Sequence, residues 1–303
     1  MILEELKQKK TIIPAIVTML KADETFDEAA QRALVRMLLA EGADGFYVGG
    51  STGEGPLLPD RIRRDVIRTV VAETAGRVPV IAYVGYIDTL RSIELAKYAE
   101  EVGADAVSSV PPYYYNFAID NVVKFYADIA DAVDIPLIVY YIPGLGGLKV
   151  EYFERLLAIP NVAGVKWTAP NHYELSLVKQ MAGEKLVFSG MDEQFVSGIF
   201  MGADGVIGST YNVAMKQYRE LLLAYESGDL TKTGVLASSV NRLLGELLKG
   251  GNYLPSLKSA ITHRGIGTRT MRRPFKTLTD DEHTNLGKRL LDEKCGNAAE
   301  NPY

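Results

Sequence analysis

Short apolar runs alternate with longer amphipathic stretches along this chain. The runs are 13–19 (IPAIVTM), 45–50 (GFYVGG), 80–85 (VIAYVG), 106–112 (AVSSVPP), 137–143 (LIVYYIP), 163–168 (AGVKWT), 186–191 (LVFSGM) and 205–209 (GVIGS). They are too short, and too rich in Val, Ile and Tyr, to be helices. Near-continuous apolar character is what strands covered on both faces require. The stretches between them carry helix signals. In 27–41 (DEAAQRALVRMLLAE) acidic residues open the segment and Gly42 follows it. In 88–102 Asp88 is placed to cap and Gly103 to stop the helix. Pro59 suits a first helical turn.

Gly-Ala-Asp recurs at 42–44, 103–105 and 202–204, each time between an amphipathic stretch and an apolar run. The triplet is a good helix stop, and its recurrence supports βα alternation. Eight βα units predict an α/β fold, a closed (β/α)₈ TIM barrel. The rival, an open doubly wound sheet, usually has a Gly-rich phosphate turn after its first strand. Here the first run ends in TMLKADETF, without glycine. Past residue 210 the pattern is helical, over 214–226, 231–249, about 255–263 and 282–294. Residues 1–211 thus read as barrel strands and helices, and 212–303 as the final barrel helix and a C-terminal helical extension. No linker separates them, so one structural domain is expected, ending in a frayed tail, GNAAENPY.

Composition narrows the function classes. A chain of 303 residues, 47% hydrophobic and 23% charged, is ordinary for a globular protein and long enough to need no disulfide or metal staple. Its one cysteine, Cys295, fits a reducing compartment. The start, MILEELKQKK, lacks the apolar core of a signal peptide, and no stretch reaches the roughly 18 apolar residues of a membrane span. A cytoplasmic protein without a membrane partner is expected. The net charge of −5 argues against nucleic acid, which requires a basic face.

In such barrels the chemistry sits at the C-terminal ends of strands. Lys166 lies inside the sixth run. Turned inward it would lose hydration, drop its pKa and offer a neutral amine for Schiff-base formation. Turned outward, or paired with a buried carboxylate, it would be structural, and the residues alone leave the two readings level. Tyr140, at the end of the neighbouring run, could relay protons, though tyrosine also simply packs in strands. GGSTGE (49–54) offers Ser51, Thr52 and backbone N–H groups as a carboxylate cradle, or is a plain polar loop. Thr168, Asp192, Glu193 and Ser209 could hydrogen-bond a polyol, although acidic residues after a strand are more often surface. Tyr113, Tyr114 and Tyr115 would usually be packing. The three histidines, His172, His263 and His283, show no ligand spacing, so no metal is expected. A GxSxG elbow and a P-loop are both absent.

Taken together, GGSTGE, PYYY, YYIP, VKWT, GMDE and IGSTYN, in this order and spacing, resemble the class I pyruvate aldolases, the family of dihydrodipicolinate synthase and N-acetylneuraminate lyase. The resemblance runs from about residue 10 to about 275. It implies a barrel acting on a small keto acid, with a covalent Schiff base on Lys166 and no other cofactor. It further implies Tyr140 as the proton relay and Ser51 and Thr52 as ligands of the pyruvate carboxylate. Tyr114 matches a tyrosine lent across a subunit interface, and a homotetramer follows by the same inheritance. Within the family the synthase carries an arginine where Leu145 stands, and an aliphatic chain cannot clamp a carboxylate. Thr168, Gly190, Asp192, Glu193, Ser209 and Tyr253 match the lyase pattern, which implies reversible cleavage of N-acetylneuraminate. Tyr141 and Ala169-Pro170 depart from it and would reshape the pocket, so the synthase and other 2-keto-3-deoxy sugar acid aldolases or dehydratases remain alternatives.

Overall fold

All eight apolar runs are strands. In the computed structural model, which describes residues 6–296, they are β1 (Thr11–Ile16), β2 (Phe46–Val48), β3 (Val80–Tyr83), β4 (Ala106–Ser109), β5 (Leu137–Tyr141), β6 (Val162–Trp167), β7 (Leu186–Ser189) and β8 (Gly205–Gly208). They pair in parallel in chain order, and β8 pairs back onto β1, so the sheet closes. The expected tail lies, from residue 297, outside the described residues.

Each strand is followed by a helix: α1 (Glu28–Ala40), α2 (Asp60–Thr74), α3 (Thr89–Glu101), α4 (Ile119–Ala130), α5 (Phe153–Leu157), α6 (His172–Ala182), α7 (Phe195–Phe200) and α8 (Tyr211–Glu226). Local chemistry sets their starts. Asp27 accepts from Ala30 N, Asp88 from Arg91 N and Asn171 from Glu174 N, satisfying amides that a helix leaves unpaired. The helical pattern near 214 begins three residues after α8 does, because Ala214 breaks it with φ −128° and ψ 26°. The chain continues into α9 (Leu230–Leu248), α10 (Tyr253–Thr262) and α11 (Asp280–Gly296).

The Gly-Ala-Asp echo is a structural device. Asp44, Asp105 and Asp204 each precede an even-numbered strand. Each donates its own N–H to, and accepts with its carboxylate from, one residue of the preceding strand: Ile12, Val80 and Val187. The glycines take φ +96°, +90° and +104°, a region that admits side chains poorly. The triplet therefore both stops a helix and staples two strands at the N-terminal rim.

Strand side chains alternate between two cores. Ile13, Ala15, Tyr47, Ile81, Tyr83, Ala106, Ile138, Tyr140, Leu186, Phe188 and Ile207 fill the barrel interior. Their neighbours, such as Val48, Val139, Val165 and Trp167, face the helices. One irregularity matters for the chemistry. Leu137 pairs with Val162 but Ile138 pairs with Gly164, so Ala163 is an extra residue and β6 bulges. Past the bulge Lys166 pairs with inward-facing Tyr140, and Trp167 with outward-facing Tyr141.

Candidate active site

The alternation after the bulge aims Lys166 into the barrel, where 4% of it is exposed. Its Nζ lies 3.9 Å from the Tyr47 ring centre and 4.0 Å from that of Tyr140. Among the described residues no carboxylate comes within ion-pair distance of it, which removes the structural alternative of a buried salt bridge. Burial holds the amine below the usual lysine range; Tyr140 and, more remotely, the charge of Asp192 pull the other way. A buried, unpaired lysine is the form that yields a neutral nucleophile. Tyr140 is edge-on to Tyr47 and Tyr83, with ring centres 5.8 and 6.4 Å away. The Tyr47 hydroxyl bonds Ser108 Oγ at 3.0 Å. Burial in this aromatic box raises the phenols of Tyr47 and Tyr83.

Beyond β7 a turn of 3₁₀ helix over Asp192–Gln194 buries the Asp192 carboxylate. Its Oδ2 accepts four hydrogen bonds: Ser209 N and Oγ at 3.0 and 3.1 Å, Thr210 N and Oγ1 both at 2.8 Å. Its Oδ1 has no protein donor in hydrogen-bond geometry. Burial raises this carboxyl, and the Thr210 and Ser209 donors oppose that. Oδ1 fits because residue 208 is glycine: a Cβ there would lie 1.6 Å from it. Ser209 Oγ also meets Tyr253 Oη at 2.5 Å, so α10 delivers its first residue to the network.

Thr168 and Gly190 follow two paired strand ends, β6 and β7. A Cβ on Gly190 would lie 2.0 Å from Thr168 Oγ1, whose hydroxyl has no protein partner. The GGSTGE loop follows β2, the strand that carries Tyr47. Ser51 is exposed and Thr52 half-buried at the rim. Thr18 Oγ1 bonds the Gly53 carbonyl at 2.7 Å, and Gly55 N that of Gly50 at 3.0 Å, so the loop has a defined shape.

The structure thus brings together Lys166 with Tyr140, Asp192 with Ser209 and Tyr253, and Thr168 with Gly190. Two candidates stand apart within the chain. Tyr114 is 84% exposed with φ 80°; of the three consecutive tyrosines, it is Tyr113 that packs on the inner core. Glu193 is exposed, and its carbonyl accepts from Asn241 Nδ2 on α9. Tyr141 does not reshape the interior. It faces the helices, stacked on Trp167 with ring centres 4.2 Å apart, because its position in β5 has outward parity.

Sequence reasoning missed Tyr47, Thr210 and the partners of Glu54. Tyr47 was legible, since it shares inward parity with the Tyr83 and Tyr140 positions. Glu54 is buried and pairs with Lys258 Nζ, while its Oε2 accepts from Arg272 N at 2.7 Å. The signal for Lys258 was its setting, the small and apolar PSLKSAI, buried throughout.

Comparisons with known proteins agree with this fold. A model of the dihydrodipicolinate synthetase family matches residues 8–293. The N-acetylneuraminate lyase of Citrobacter koseri is 33% identical over 95% of this chain and 99% of its own. The crystal structure of N-acetylneuraminate lyase from Mycoplasma synoviae superposes with a TM-score of 0.89 at 33% identity, covering 95% and 99% of the two chains. A Ruminococcus gnavus sialic acid aldolase, solved as a catalytic lysine mutant, superposes with a TM-score of 0.91 at 28% identity, covering 97% of each.

Proposed function

The chain belongs to the dihydrodipicolinate synthetase family, and from that membership we propose that it is a Schiff-base aldolase that reversibly cleaves N-acetylneuraminate to N-acetylmannosamine and pyruvate. The observation that carries the reading is Lys166: buried, unpaired by any carboxylate and pressed between the faces of Tyr47 and Tyr140.

The neutral amine attacks the C2 ketone of the open-chain sugar acid. Loss of water gives an iminium, which draws electrons from the adjacent bond. The C4 hydroxyl gives its proton toward Tyr140, the C3–C4 bond breaks, and the aldehyde of N-acetylmannosamine leaves. The enamine takes a proton at C3, and water returns to release pyruvate and free Lys166. Ser51, Thr52 and the backbone of their loop hold the keto-acid carboxylate. Asp192 acts with Ser209, Tyr253, Thr168 and Glu193 on the hydroxylated end. No cofactor beyond the lysine is required by this sequence of steps.

Leu145 favours the lyase over the synthase. It packs against the inner core at the strand β5 end, so the site offers an apolar wall where a second carboxylate would need a cation. We place the enzyme in the cytoplasm on its lone cysteine, and in a homotetramer in which exposed Tyr114 enters a neighbour's site. Among the described residues no helix is long and apolar enough to cross a membrane.

Pyruvate release from N-acetylneuraminate, coupled to lactate dehydrogenase, tests the reading with Lys166→Ala as control. Lysine-dependent release is expected. Release that persists in Lys166→Ala would remove the assignment.

A further inference from the structure

The cradle loop ends in an expensive arrangement that the reaction itself does not use. Glu54 has φ 58° and ψ 17°, a left-handed conformation that residues with a side chain rarely adopt. Its side chain is fully buried, and that of Lys258 on α10 is 1% exposed. Both carboxylate oxygens are taken, Oε1 by Lys258 Nζ and Oε2 by the Arg272 amide, and Nζ also donates to the Thr270 carbonyl at 2.9 Å. A buried pair of this kind is often no more stabilising than apolar residues of the same volume. Stability alone therefore does not account for it.

What the pair does uniquely is geometric. It joins three segments distant in sequence: the loop with Ser51 and Thr52, the helix that begins with Tyr253, and the 268–273 stretch. That stretch is held against the loop between β1 and α1 by Thr268 Oγ1, which donates to the Leu20 carbonyl, and by Arg272 and Arg273, which pair with Glu24. Tyr253 lies five residues before Lys258 on α10, and its hydroxyl meets Ser209. The ion pair is thus a rigid link between the two ends of the substrate pocket.

We infer that Glu54 and Lys258 are positioning residues: the C-terminal helices set the shape of the keto-acid cradle through this buried pair. The inference rests on the carboxylate role of the Ser51–Thr52 loop proposed above. A misplaced cradle raises the pyruvate concentration needed to occupy Lys166 without touching the chemistry of the lysine. Misplacements of about 1 Å can reduce catalytic efficiency up to about 10²-fold.

Borohydride trapping of pyruvate on Lys166, followed by mass spectrometry over a range of pyruvate concentrations, reads this directly. The proteins are the full-length chain, the neutral double variant Glu54→Gln/Lys258→Met, and Glu54→Gln alone, which keeps shape and one acceptor if the double fails to fold. Amide hydrogen exchange over 49–55 is measured on the same samples. We expect half-saturation to rise about ten-fold or more, an unchanged trapped fraction at saturation, and faster exchange confined to the loop. Half-saturation within about two-fold of wild type, with unchanged loop exchange, would overturn the inference and leave a merely structural pair. If the wild type itself trapped no pyruvate, the keto-acid reading would fall instead, and loop exchange would still decide whether the pair positions the cradle.

Discussion

Burying an uncompensated amine has two consequences that must agree, and Lys166→Met exposes both. Methionine keeps the length and removes the charge. Lys166 is 4% exposed, with burial as the main cause of its lowered pKa. Below the folded-state pKa the amine is charged both folded and unfolded, and the folded protein carries the full penalty. As pH rises through the folded value, the folded state loses its proton before the unfolded chain does. The unfolded state then binds more protons, so wild-type stability rises with pH until the unfolded value, 10.5. The slope in that window approaches about 1.4 kcal/mol per pH unit, and each unit of depression is worth about 1.4 kcal/mol. Packing differences between lysine and methionine do not titrate, so they shift the comparison by a constant.

Urea unfolding of both proteins from pH 7 upward measures the stability difference, and the pH dependence of kcat/KM measures the free enzyme's amine. Activity should rise as pH climbs through the lysine pKa, with a midpoint below 10.5. Over that same window Lys166→Met, inactive throughout, should lose its stability advantage. A stability difference that stays flat while the rate profile titrates would show that the titrating group is not Lys166.

Three further perturbations address separate parts of the site. Tyr140→Phe should keep pyruvate trapping on Lys166 yet lower kcat about 10²–10⁴-fold; retention of full turnover would remove Tyr140 from the proton path. Gly208→Ala drives a methyl to 1.6 Å from Asp192 Oδ1, so it should cost about 1–3 kcal/mol and raise KM for N-acetylneuraminate more than the half-saturation for pyruvate, by urea titration and steady-state kinetics. Asp204→Ala removes the acceptor of Val187 N and the 2.7 Å partner of Lys179; at the barrel's other rim, it should cost about 1–3 kcal/mol and leave kcat of the folded enzyme unaltered.

Strand positions were legible because a closed parallel barrel buries both faces of every strand, and eight dense apolar runs follow from that one demand. The Gly-Ala-Asp recurrence was visible too, although only coordinates show that its aspartates bond Ile12, Val80 and Val187. Side-chain direction was harder. Strict alternation from Val162, which pairs with outward Leu137, would turn Lys166 out with the helices. The extra residue at Ala163 reverses that, and Gly164 permits it, since a Cβ there would sit 2.2 Å from the Leu186 carbonyl. A local pattern cannot report a bulge whose cause is the neighbouring strand.

The same limit explains which site residues sequence could reach. Lys166 and Tyr140 are paired on adjacent strands, so strand order alone puts them together. Ser209 and Asp192 follow adjacent strands as well. Tyr253, Lys258 and Arg272 reach the site from beyond the barrel, 44 positions after Ser209 in the first case and 204 after Glu54 in the second. Nothing periodic links such residues. Lys258 alone is reached by a general rule, that a buried charge must find a partner. A charged residue inside an apolar or glycine-rich segment, such as Glu54 in GGSTGEG, Lys258 in PSLKSAI or Lys166 in AGVKWT, is therefore the transferable signal. Two of these three found each other. Among the described residues Lys166 has no carboxylate within ion-pair distance, and on the proposed reading that difference separates the reacting lysine from the positioning one.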